Sequence, residues 1–420
     1  MDEPIEEENR KPFLYRHFVK IPEAGKFVFM DSGWMSEVTK QKLSGELSDE
    51  DYKKRVESIK RFERQLTDNG YLLLKFFFNI DKKEQKKRLN KLKEDKNTKW
   101  RVSAYDKWQN KHYEECFDVY DQYLCDTDHS SAPWYIVDAK DKKWAQLQVL
   151  ETIVQGIDTA FANSALSVPL LQNAFPLKPI PKLSEVSLDK ELSDEEYERL
   201  LDMYQKRLGE LHNELYRKKV PVIIAYEGWD AAGKGGNIKR ITEALDPRGF
   251  EVHPIASPEP HEKARHYLWR FWTRLPKDGH IAIFDRTWYG RVMVEPIEKL
   301  TPEERVNMAY REINEFESQL HDWGAEIIKF WVNVDKDEQL RRFNERENTP
   351  EKRWKITDED WRNREKWDTY EKYVDRMITL TSTDIAPWTI LEGNDKKYAR
   401  IKALKTIVKR LEKRLEKEDK

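Results

Sequence analysis

The residues best suited to chemistry surround a glycine-rich segment near the middle of the chain. Residues 223–238 read I-I-A-Y-E-G-W-D-A-A-G-K-G-G-N-I. Gly228, Gly233 and Lys234 have the G-x-x-x-x-G-K spacing of a loop whose backbone N–H groups and following helix bind phosphate. We predict a buried strand, this loop and then a helix, with Lys234 reaching the outer phosphates. The other predicted loop residues are Ala231, Ala232, Gly235 and Gly236.

The loop departs from the usual motif at the position after its lysine. A serine or threonine hydroxyl normally binds Mg²⁺ there, whereas this chain has Gly235. Asp230 lies inside the loop, and its carboxylate suits a hard cation such as Mg²⁺ or Mn²⁺. The alternative interpretation is a glycine-rich turn with a surface lysine and no ligand.

A second motif would complete a site for phosphoryl transfer. Residues 280–285, H-I-A-I-F-D, are mostly apolar and predict a strand that ends at Asp285. In phosphate-loop enzymes an aspartate at the end of a neighbouring strand holds the metal, so Asp285 joins Asp230 as a predicted ligand. Arg286 and Arg291 follow, and guanidinium groups suit the oxygens of a phosphoryl group in transfer. The alternative is an Asp285–Arg286 pair that only stabilises the strand end.

These motifs together resemble the polyphosphate kinase 2 family. They read E-G-W-D-A-A-G-K-G-G from Glu227, D-R-T-W-Y-G-R from Asp285 and E-K-R-W-K at residues 351–355. The resemblance spans residues 193–411 and implies a P-loop kinase-like fold that transfers phosphoryl groups between inorganic polyphosphate and a nucleotide. The E-G-W-D loop and G-R-V-x-V-E, residues 290–295, are similar to the subgroup that phosphorylates AMP to ADP.

The resemblance also implies a helical lid over residues 341–366. Its basic side chains would close over the site and contact polyphosphate or nucleotide: Arg341, Arg342, Arg346, Lys352, Arg353 and Lys355. Acidic residues interleave with these bases, so a solvated helical face is the alternative. Trp354 and Trp361 in the same segment are expected to pack in the fold rather than to stack on a base.

Composition limits the compartment and the class of partner. The 420 residues include 76 basic and 78 acidic side chains, a net charge of −2, so the overall charge does not indicate a nucleic-acid partner. The only cysteines, Cys116 and Cys125, exclude a disulfide framework. The acidic N-terminus and the lack of a long apolar run predict a cytoplasmic protein without a membrane partner.

The chain contains an internal repeat with a constant offset. Residues 22–31, P-E-A-G-K-F-V-F-M-D, align with residues 276–285, P-K-D-G-H-I-A-I-F-D, so the offset is 285 − 31 = 254. Apolar runs predict further strands in both copies: Tyr71–Ile80, Trp134–Asp138, Ala325–Val334 and Thr389–Glu392. Because charged helical segments alternate with them, we predict an α/β fold, a duplicated parallel sheet covered by helices on both faces.

The first copy has lost most of the predicted chemistry. Asp31 matches Asp285, but Ser32, Met35 and Glu37 stand where the second copy has Arg286, Tyr289 and Arg291. Met1 aligns with residue 255, so this copy as given is expected to lack the phosphate loop and a central strand. Either the given start lies downstream of the native one, or the copy is truncated. A sheet without its middle strand should be poorly stable alone.

We therefore predict three parts. Residues 1–157 form a degenerate, N-terminally incomplete copy, residues 158–192 a linker, and residues 193–420 the catalytic domain. The linker is predicted from four prolines that oppose helix formation: Pro169, Pro176, Pro179 and Pro181. The resemblance implies a homodimer, in which the two fused copies of each chain would mimic a tetramer of single copies.

Mg²⁺-dependent transfer from polyphosphate to AMP is the favoured function. Two other enzymes share the loop: a polyphosphate-dependent kinase that converts ADP to ATP, and an ATP-dependent kinase of a nucleotide or small molecule. A protein of another class, a scaffold that binds polyphosphate or nucleotide without catalysis, is the third alternative. The complete set of charged residues in the second copy favours an enzyme.

Overall fold

The chain forms two compact units that divide differently from the predicted domains. This computed structural model describes residues 4–162 and 175–418; residues 28–162 belong to the first unit, and 4–27 with 175–418 to the second. The segment 4–27 contains α1 (Glu6–Asn9) and α2 (Tyr15–Phe18). Phe18 is fully buried, and its ring stacks on Trp272 at 4.9 Å. The N-terminal residues therefore contribute to the core of the second unit.

The first unit contains a small parallel sheet surrounded by helices. Its strands β1 (Lys75–Asn79) and β2 (Trp134–Asp138) pair with Lys75 opposite Trp134. Both predicted strands are confirmed, the first in shorter form. The helices are α3 (Trp34–Ser44), α4 (Asp49–Asp68), α5 (Lys82–Glu94), α6 (Ala104–Lys111), α7 (Tyr113–Thr127) and α8 (Lys142–Ala162), with a 3₁₀ turn at Lys99–Arg101.

The second unit is built on five parallel strands in the order β4-β5-β3-β6-β7. The strands are β3 (Val222–Gly228), β4 (Phe250–Pro254), β5 (Ile281–Asp285), β6 (Glu326–Asn333) and β7 (Trp388–Glu392). The helices are α9 (Asp194–Lys218), α10 (Lys234–Thr242), α11 (Pro260–Lys263), α12 (Trp269–Trp272), α13 (Val294–Ile297), α14 (Glu303–Asp322), α15 (Lys336–Asn348), α16 (Asp358–Glu365), α17 (Trp367–Thr381) and α18 (Lys396–Glu418). Every residue of β6 is buried, which requires cover on both faces of the sheet and confirms the predicted α/β class.

The central strand β3 leads into the glycine-rich segment, and α10 begins at Lys234. The 3₁₀ turn Trp288–Arg291 follows β5, so the two motifs extend from adjacent strands. The predicted lid corresponds to α15, the 3₁₀ turn Pro350–Lys355 and α16. Because parallel strands present their carboxyl ends at one edge, the fold gathers these segments at that edge.

Both units contain the same buried ion pair. In the second unit Lys329 Nζ lies 2.8 Å from Glu317 Oε2 and 5.1 Å from the centre of the Trp388 ring. In the first unit Lys75 Nζ lies 2.7 Å from Glu63 Oε2, beside the Trp134 ring. The offset of 254 residues thus holds for interior contacts as well as for sequence letters. Since the first copy keeps this ion pair although Ser32 and Glu37 replace Arg286 and Arg291, the pair belongs to the scaffold.

The backbone after the aligned aspartates is also alike in the two copies. Arg286 and Ser32 both have a left-handed conformation, with φ of 66° and 53°. Residues 27–31, however, form no strand, although their counterpart is β5. In the second unit β5 pairs with β3, and the described part of the first unit has no equivalent of β3. Phe29 is therefore left exposed.

The predicted linker is only partly without regular structure. Helix α8 continues to Ala162, past the predicted boundary at 157, and Pro169 lies outside the described residues. Residues 175–192 contain a single 3₁₀ turn and pack within the second unit. There Lys178 N donates to the Ser382 carbonyl at 2.6 Å. Across the described residues, no helix is long and apolar enough to span a membrane.

Candidate active site

The loop after β3 requires glycine at position 228 because the backbone of β6 lies too close for a side chain. Gly228 has φ of 153°, and a Cβ at this position would lie 2.6 Å from the Val332 carbonyl oxygen on β6. Gly233 has φ of 113°, also outside the range that other residues favour. Ala231 adopts φ of 60° although it has a side chain, a strained conformation of the kind found at functional sites. The strand contact and these backbone angles hold the loop in shape.

Lys234 lies at the N-terminus of α10, with its side chain folded over the loop. Its Nζ donates to the carbonyl oxygens of Gly228 at 2.7 Å and Trp229 at 3.3 Å. An ammonium group held there lies beside the backbone N–H groups that open the helix, where a phosphate would be bound. The geometry agrees with the predicted role of Lys234 as a phosphate ligand.

Asp230 is the one carboxylate of the loop, and its side chain and its backbone carbonyl both have polar contacts. Its Oδ1 lies 3.5 Å from Arg286 Nη2, and its Oδ2 accepts a hydrogen bond of 2.9 Å from Asn363 Nδ2. The backbone carbonyl of Asp230 accepts from Gln339 Nε2 at 3.1 Å. The structure therefore brings together the predicted Asp230 and Arg286, and joins to them an asparagine of α16.

Asp285 ends β5 directly beside β3, where it is paired in register with Tyr226. Its side chain is partly exposed. Mg²⁺ is usually held by one or two carboxylates together with substrate phosphates and waters, so Asp230 and Asp285 are suitable ligands. No group of three or more His, Cys, Asp or Glu side chains that could hold a metal occurs among the described residues.

Arg291 makes its side-chain contacts away from Asp230 and Arg286. Its Nη1 donates to Glu295 Oε2 at 2.6 Å and to Thr301 Oγ1 at 2.7 Å, and its guanidinium lies 4.8 Å from the centre of the Tyr267 ring. These contacts fix the 3₁₀ turn after β5. A direct contact of Arg291 with phosphate stays a prediction.

Five of the six predicted lid bases form contacts within the lid. Lys355 Nζ lies 5.2 Å from the centre of the Trp354 ring. The other four contacts are Arg341 with Glu338 at 2.7 Å, Lys352 with Glu345 at 2.7 Å, Arg346 with the Lys355 carbonyl at 3.0 Å, and Arg353 with the Glu347 carbonyl at 2.8 Å. These bases are thus presented on the lid segment without contact to the loop.

Arg342 is placed differently from the expectation for a lid base. It is only 2% exposed, and its Nη1 donates to the carbonyls of Ala231 at 3.1 Å and Ala232 at 2.7 Å. Its Nη2 donates to the Gly393 carbonyl and its Nε to Glu338. The donors of Arg342 therefore support the loop from beneath, whereas Arg341 beside it faces solvent.

The first copy shows that this support is structural. Arg88, the counterpart of Arg342, donates to the carbonyls of Ala139 at 2.8 Å and Lys140 at 3.0 Å and to Glu84 at 2.8 Å. These acceptors lie 254 residues before Gly393, Asn394 and Glu338. An arginine that keeps these partners in the copy that has Ser32 and Glu37 in place of Arg286 and Arg291 serves the fold in both copies.

The lid tryptophans differ from each other. Trp361 packs edge-on against Phe343, with ring centres 5.0 Å apart, as expected. Trp354 is 75% exposed, so the expectation that it packs in the fold is wrong. Its indole N–H donates to the Glu351 carbonyl within the same turn, which fixes the ring on the surface.

Comparison with known proteins identifies the family. The sequence profile of polyphosphate kinase 2 matches residues 1–164 and 191–419, which is most of the chain. The chain belongs to the polyphosphate kinase 2 family. Both copies match the same profile, so the internal repeat is a duplication of the family's domain.

Proteins similar over the whole chain include two bacterial members of this family. The polyphosphate:AMP phosphotransferase of Pseudomonas aeruginosa is 39% identical over 410 residues, which cover 96% of this chain and 82% of that protein. The enzyme of the same name from Pseudomonas syringae pv. tomato is 39% identical over 417 residues, or 98% and 83%. A crystal structure assigned to polyphosphate kinase 2 from Pseudomonas aeruginosa PA01 has a TM-score of 0.86 at 37% identity, covering 99% and 84% of the two chains.

Sequence reasoning missed one buried carboxylate in this polyphosphate kinase 2 chain. Glu227 Oε1 accepts hydrogen bonds of 2.7 Å from both the backbone N and Oγ1 of Thr287. Burial raises the pKa of Glu227, opposed by the Thr287 hydrogen bonds and by the positive charges of Lys234 and Arg286. Glu227 therefore ties the end of β3 to the turn after β5. The signal was present, since Glu227 is the one charged residue in the apolar strand.

A second missed group has no such signal. Asn363 lies on α16 and contacts Asp230, from which it is separated by 133 positions in the sequence. Trp367 stacks on Trp229 of the loop, with ring centres 3.8 Å apart and planes 11° from parallel. Polar and aromatic residues are frequent in this segment, so their spacing alone does not distinguish these two.

Proposed function

We propose that this protein transfers a phosphoryl group from inorganic polyphosphate to AMP and so produces ADP. The observation that carries the proposal is the arrangement of Asp230, Lys234 and Arg286 at the end of the central strand, with Asp285 ending the adjacent strand. The names of the two relatives similar over almost the whole chain support AMP as the acceptor.

The residues act by position and charge. Phosphoryl transfer needs little covalent help from a protein, because the transferring group mainly requires alignment and neutralisation of its oxygens. Lys234 and the loop N–H groups hold the phosphate, and Arg286 turns from the Asp230 carboxylate to the oxygens that gain charge. The bases of the lid, Arg346 and Lys352 among them, close over the substrates and exclude water.

Mg²⁺, or Mn²⁺ in its place, is the proposed cofactor. Such an ion would supply positive charge that offsets the negative charge of the phosphate oxygens. Asp230 and Asp285 would hold it, and Asn363 orients the Asp230 carboxylate through its hydrogen bond of 2.9 Å. Gly235 offers no hydroxyl, so Asp230 takes the place of the usual loop ligand.

The sequence of the first unit indicates that only the second unit catalyses the transfer. Ser32 and Glu37 replace Arg286 and Arg291, and Glu37 reverses a charge. The first copy nevertheless retains the buried Lys75–Glu63 pair. Loss of the charged motif with retention of the scaffold is the pattern expected when a copy is kept for its structure.

The deciding experiment supplies the purified protein with different donors and acceptors. We expect ADP from polyphosphate, Mg²⁺ and AMP, and much slower product formation when ATP replaces polyphosphate or ADP replaces AMP. Asp285→Asn should remove activity, while Asp322→Asn, an exposed residue at the end of α14, should retain it. Turnover with ATP but not polyphosphate would contradict the proposal. Preferential conversion of ADP to ATP would favour the alternative acceptor.

A homodimer and a cytoplasmic location remain part of the proposal. They are supported by the family resemblance and by the composition of the chain, which has two cysteines and balanced charge. Light scattering of the purified full chain measures the first directly. A monomeric mass would contradict the homodimer and leave the proposed chemistry untouched.

A further inference from the structure

The first unit carries a strongly basic helix although its phosphate-binding motif is lost. Residues 82–101 contain ten Lys or Arg and three Asp or Glu, whereas the whole chain has a net charge of −2. Helix α5 supplies seven of these basic residues and buries none of its side chains. Lys83, Lys86, Lys87 and Lys91 are exposed, whereas Leu89 and Leu92 on the other side of the helix are half-buried, so the charge excess faces solvent and whatever binds there.

One face of α5 gathers lysines around an open depression, which we call the lysine face. Its lining residues are Lys83, Lys86, Lys87, Asn90, Lys91 and Glu94. Spacings of three and four residues place them along one side of the helix. From Lys83 to Lys91 the row extends about 12 Å at the helical rise per residue.

Few carboxylates neutralise the lysine face. Glu84 lies 3.6 Å from Lys87 but is also paired with Arg88 at 2.8 Å. Within residues 4–162 and 175–418, Lys83 and Lys91 have no carboxylate at ion-pair distance. Like charges four residues apart destabilise a helix. Because the lysines of this face are exposed, no buried contact of theirs explains why the row is tolerated.

The catalytic copy lacks this face. Residues 336–355, the counterpart of 82–101, contain seven basic and five acidic residues. Asp337 and Glu345 stand at the positions of Lys83 and Lys91. Arg341, at the position of Lys87, is held by Glu338 at 2.7 Å. The lysine row is therefore a feature of the first copy and not a general property of the repeated helix.

We propose that the lysine face binds inorganic polyphosphate as a second, non-catalytic site. The identity of the polyanion rests on the proposed function, and the row of ammonium groups is suited to it because lysine binds phosphate as a compact point charge. None of the six lining residues is aromatic, whereas single-stranded nucleic acids are usually held by stacking on aromatic rings. A linear phosphate chain offers charge without bases and matches this surface.

Such a site should change the apparent affinity for long polyphosphate chains and leave the affinity for short ones unchanged. A polyphosphate long enough to engage both sites remains on the protein after one contact is lost, which raises the effective concentration of donor for the catalytic site. Tripolyphosphate occupies only one site at a time. The lysine face should therefore lower KM for long chains without changing kcat.

The test replaces two lysines by the residues of the other copy, Lys83→Asp and Lys91→Glu. The control, Lys405→Glu with Lys413→Glu, has the same spacing and charge change on exposed residues of α18. Binding of fluorescently labelled long-chain polyphosphate to the full chain is measured at low salt, and KM and kcat are measured with long-chain polyphosphate and with tripolyphosphate. Thermal unfolding checks that both variants fold.

We expect Kd and KM for long chains to rise at least about tenfold in the α5 variant, because two attractive charges become repulsive. Its constants for tripolyphosphate, its kcat and the control should be unchanged. An unaltered Kd, or an equal loss in the control, would overturn the proposal. Labelled single-stranded RNA is measured in the same way, and a loss confined to RNA binding in the α5 variant would also overturn the proposal, because it would assign the surface to nucleic acid. If the wild type shows no AMP phosphorylation, the proposed function fails, while the binding measurement still decides on the lysine face.

Discussion

Asn363 Nδ2 lies 2.9 Å from Oδ2 of Asp230 and so connects α16 to the glycine-rich loop after β3. Tyr370 Oη donates to Asn363 Oδ1 at 3.1 Å, which fixes the orientation of the amide. The other oxygen of Asp230 faces Arg286. The loop carboxylate is thus held from two sides, by a neutral donor on α16 and by a cation after β5.

Asn363→Ala should lower turnover about tenfold or more, because a hydrogen bond to a charged group is worth roughly 1.5–3 kcal/mol. It should also raise the Mg²⁺ concentration needed for half-maximal activity, an effect that a purely structural residue would not have. Asn348→Ala, which removes an amide bonded only within α15, is the control. Equal Mg²⁺ dependence in the two variants would show that Asn363 does not position Asp230.

Lys234→Ala should reduce turnover by at least about two orders of magnitude, as expected when a preorganised positive group is removed from a site of phosphate charge. Its half-buried side chain bonds only loop carbonyls, so the free energy of unfolding should change little. Lys239→Ala on the same helix is the control, since that side chain is exposed. Activity of Lys234→Ala within a few-fold of wild type would contradict the assignment of the loop.

Arg341 and Arg342 are adjacent but should respond oppositely to alanine substitution. Arg342→Ala leaves the carbonyls of Ala231 and Ala232 without this buried donor and removes one of the two arginines that bind Glu338. Loss of a buried charged partner costs about 3 kcal/mol or more of unfolding free energy. Arg341→Ala affects a side chain that is 60% exposed and should cost well under about 1 kcal/mol. Urea unfolding of both variants measures the difference. Similar midpoints would mean that Arg342 does not support the loop.

Glu227 should make stability depend on pH. Burial raises its pKa above the ordinary 4.5, so the folded state keeps this proton to a higher pH than the unfolded state. Its contribution is therefore fully present below pH 4.5 and is lost as the pH rises through the folded pKa. Glu227→Gln keeps an oxygen acceptor for Thr287 and should remove this loss.

Urea unfolding at a series of pH values tests the Glu227 prediction. The wild type should lose more stability than Glu227→Gln between pH 4.5 and neutrality, and the variant should be at least as stable at pH 7. Glu416→Gln, which neutralises an exposed carboxylate, should follow the wild type. Parallel curves for wild type and Glu227→Gln would mean that this carboxyl keeps its ordinary titration in the fold.

The central features of the fold and site were predictable because they depend on local spacing. Gly228 to Lys234 specifies a loop between a strand and a helix, and the apolar run before Asp285 specifies a strand beside it. The edge strand β4, Phe250–Pro254, was not predicted, since only its His253 is buried and it includes a proline. The offset of 254 residues predicted that one pattern of buried contacts would occur twice.

The sequence by itself thus determined the glycine-rich loop between a strand and a helix, the parallel strands, the duplication and the loss of charge in the first copy. Each of these depends on residue types at short or constant spacing. Only the tertiary structure decided that Arg342 lies beneath the loop while Arg341 faces solvent, and that Asn363 reaches Asp230. It also decided that residues 4–27 belong with the second unit. Burial and long-range contacts depend on which helix faces meet after folding, and neighbouring residues of like chemistry carry no local signal of that outcome.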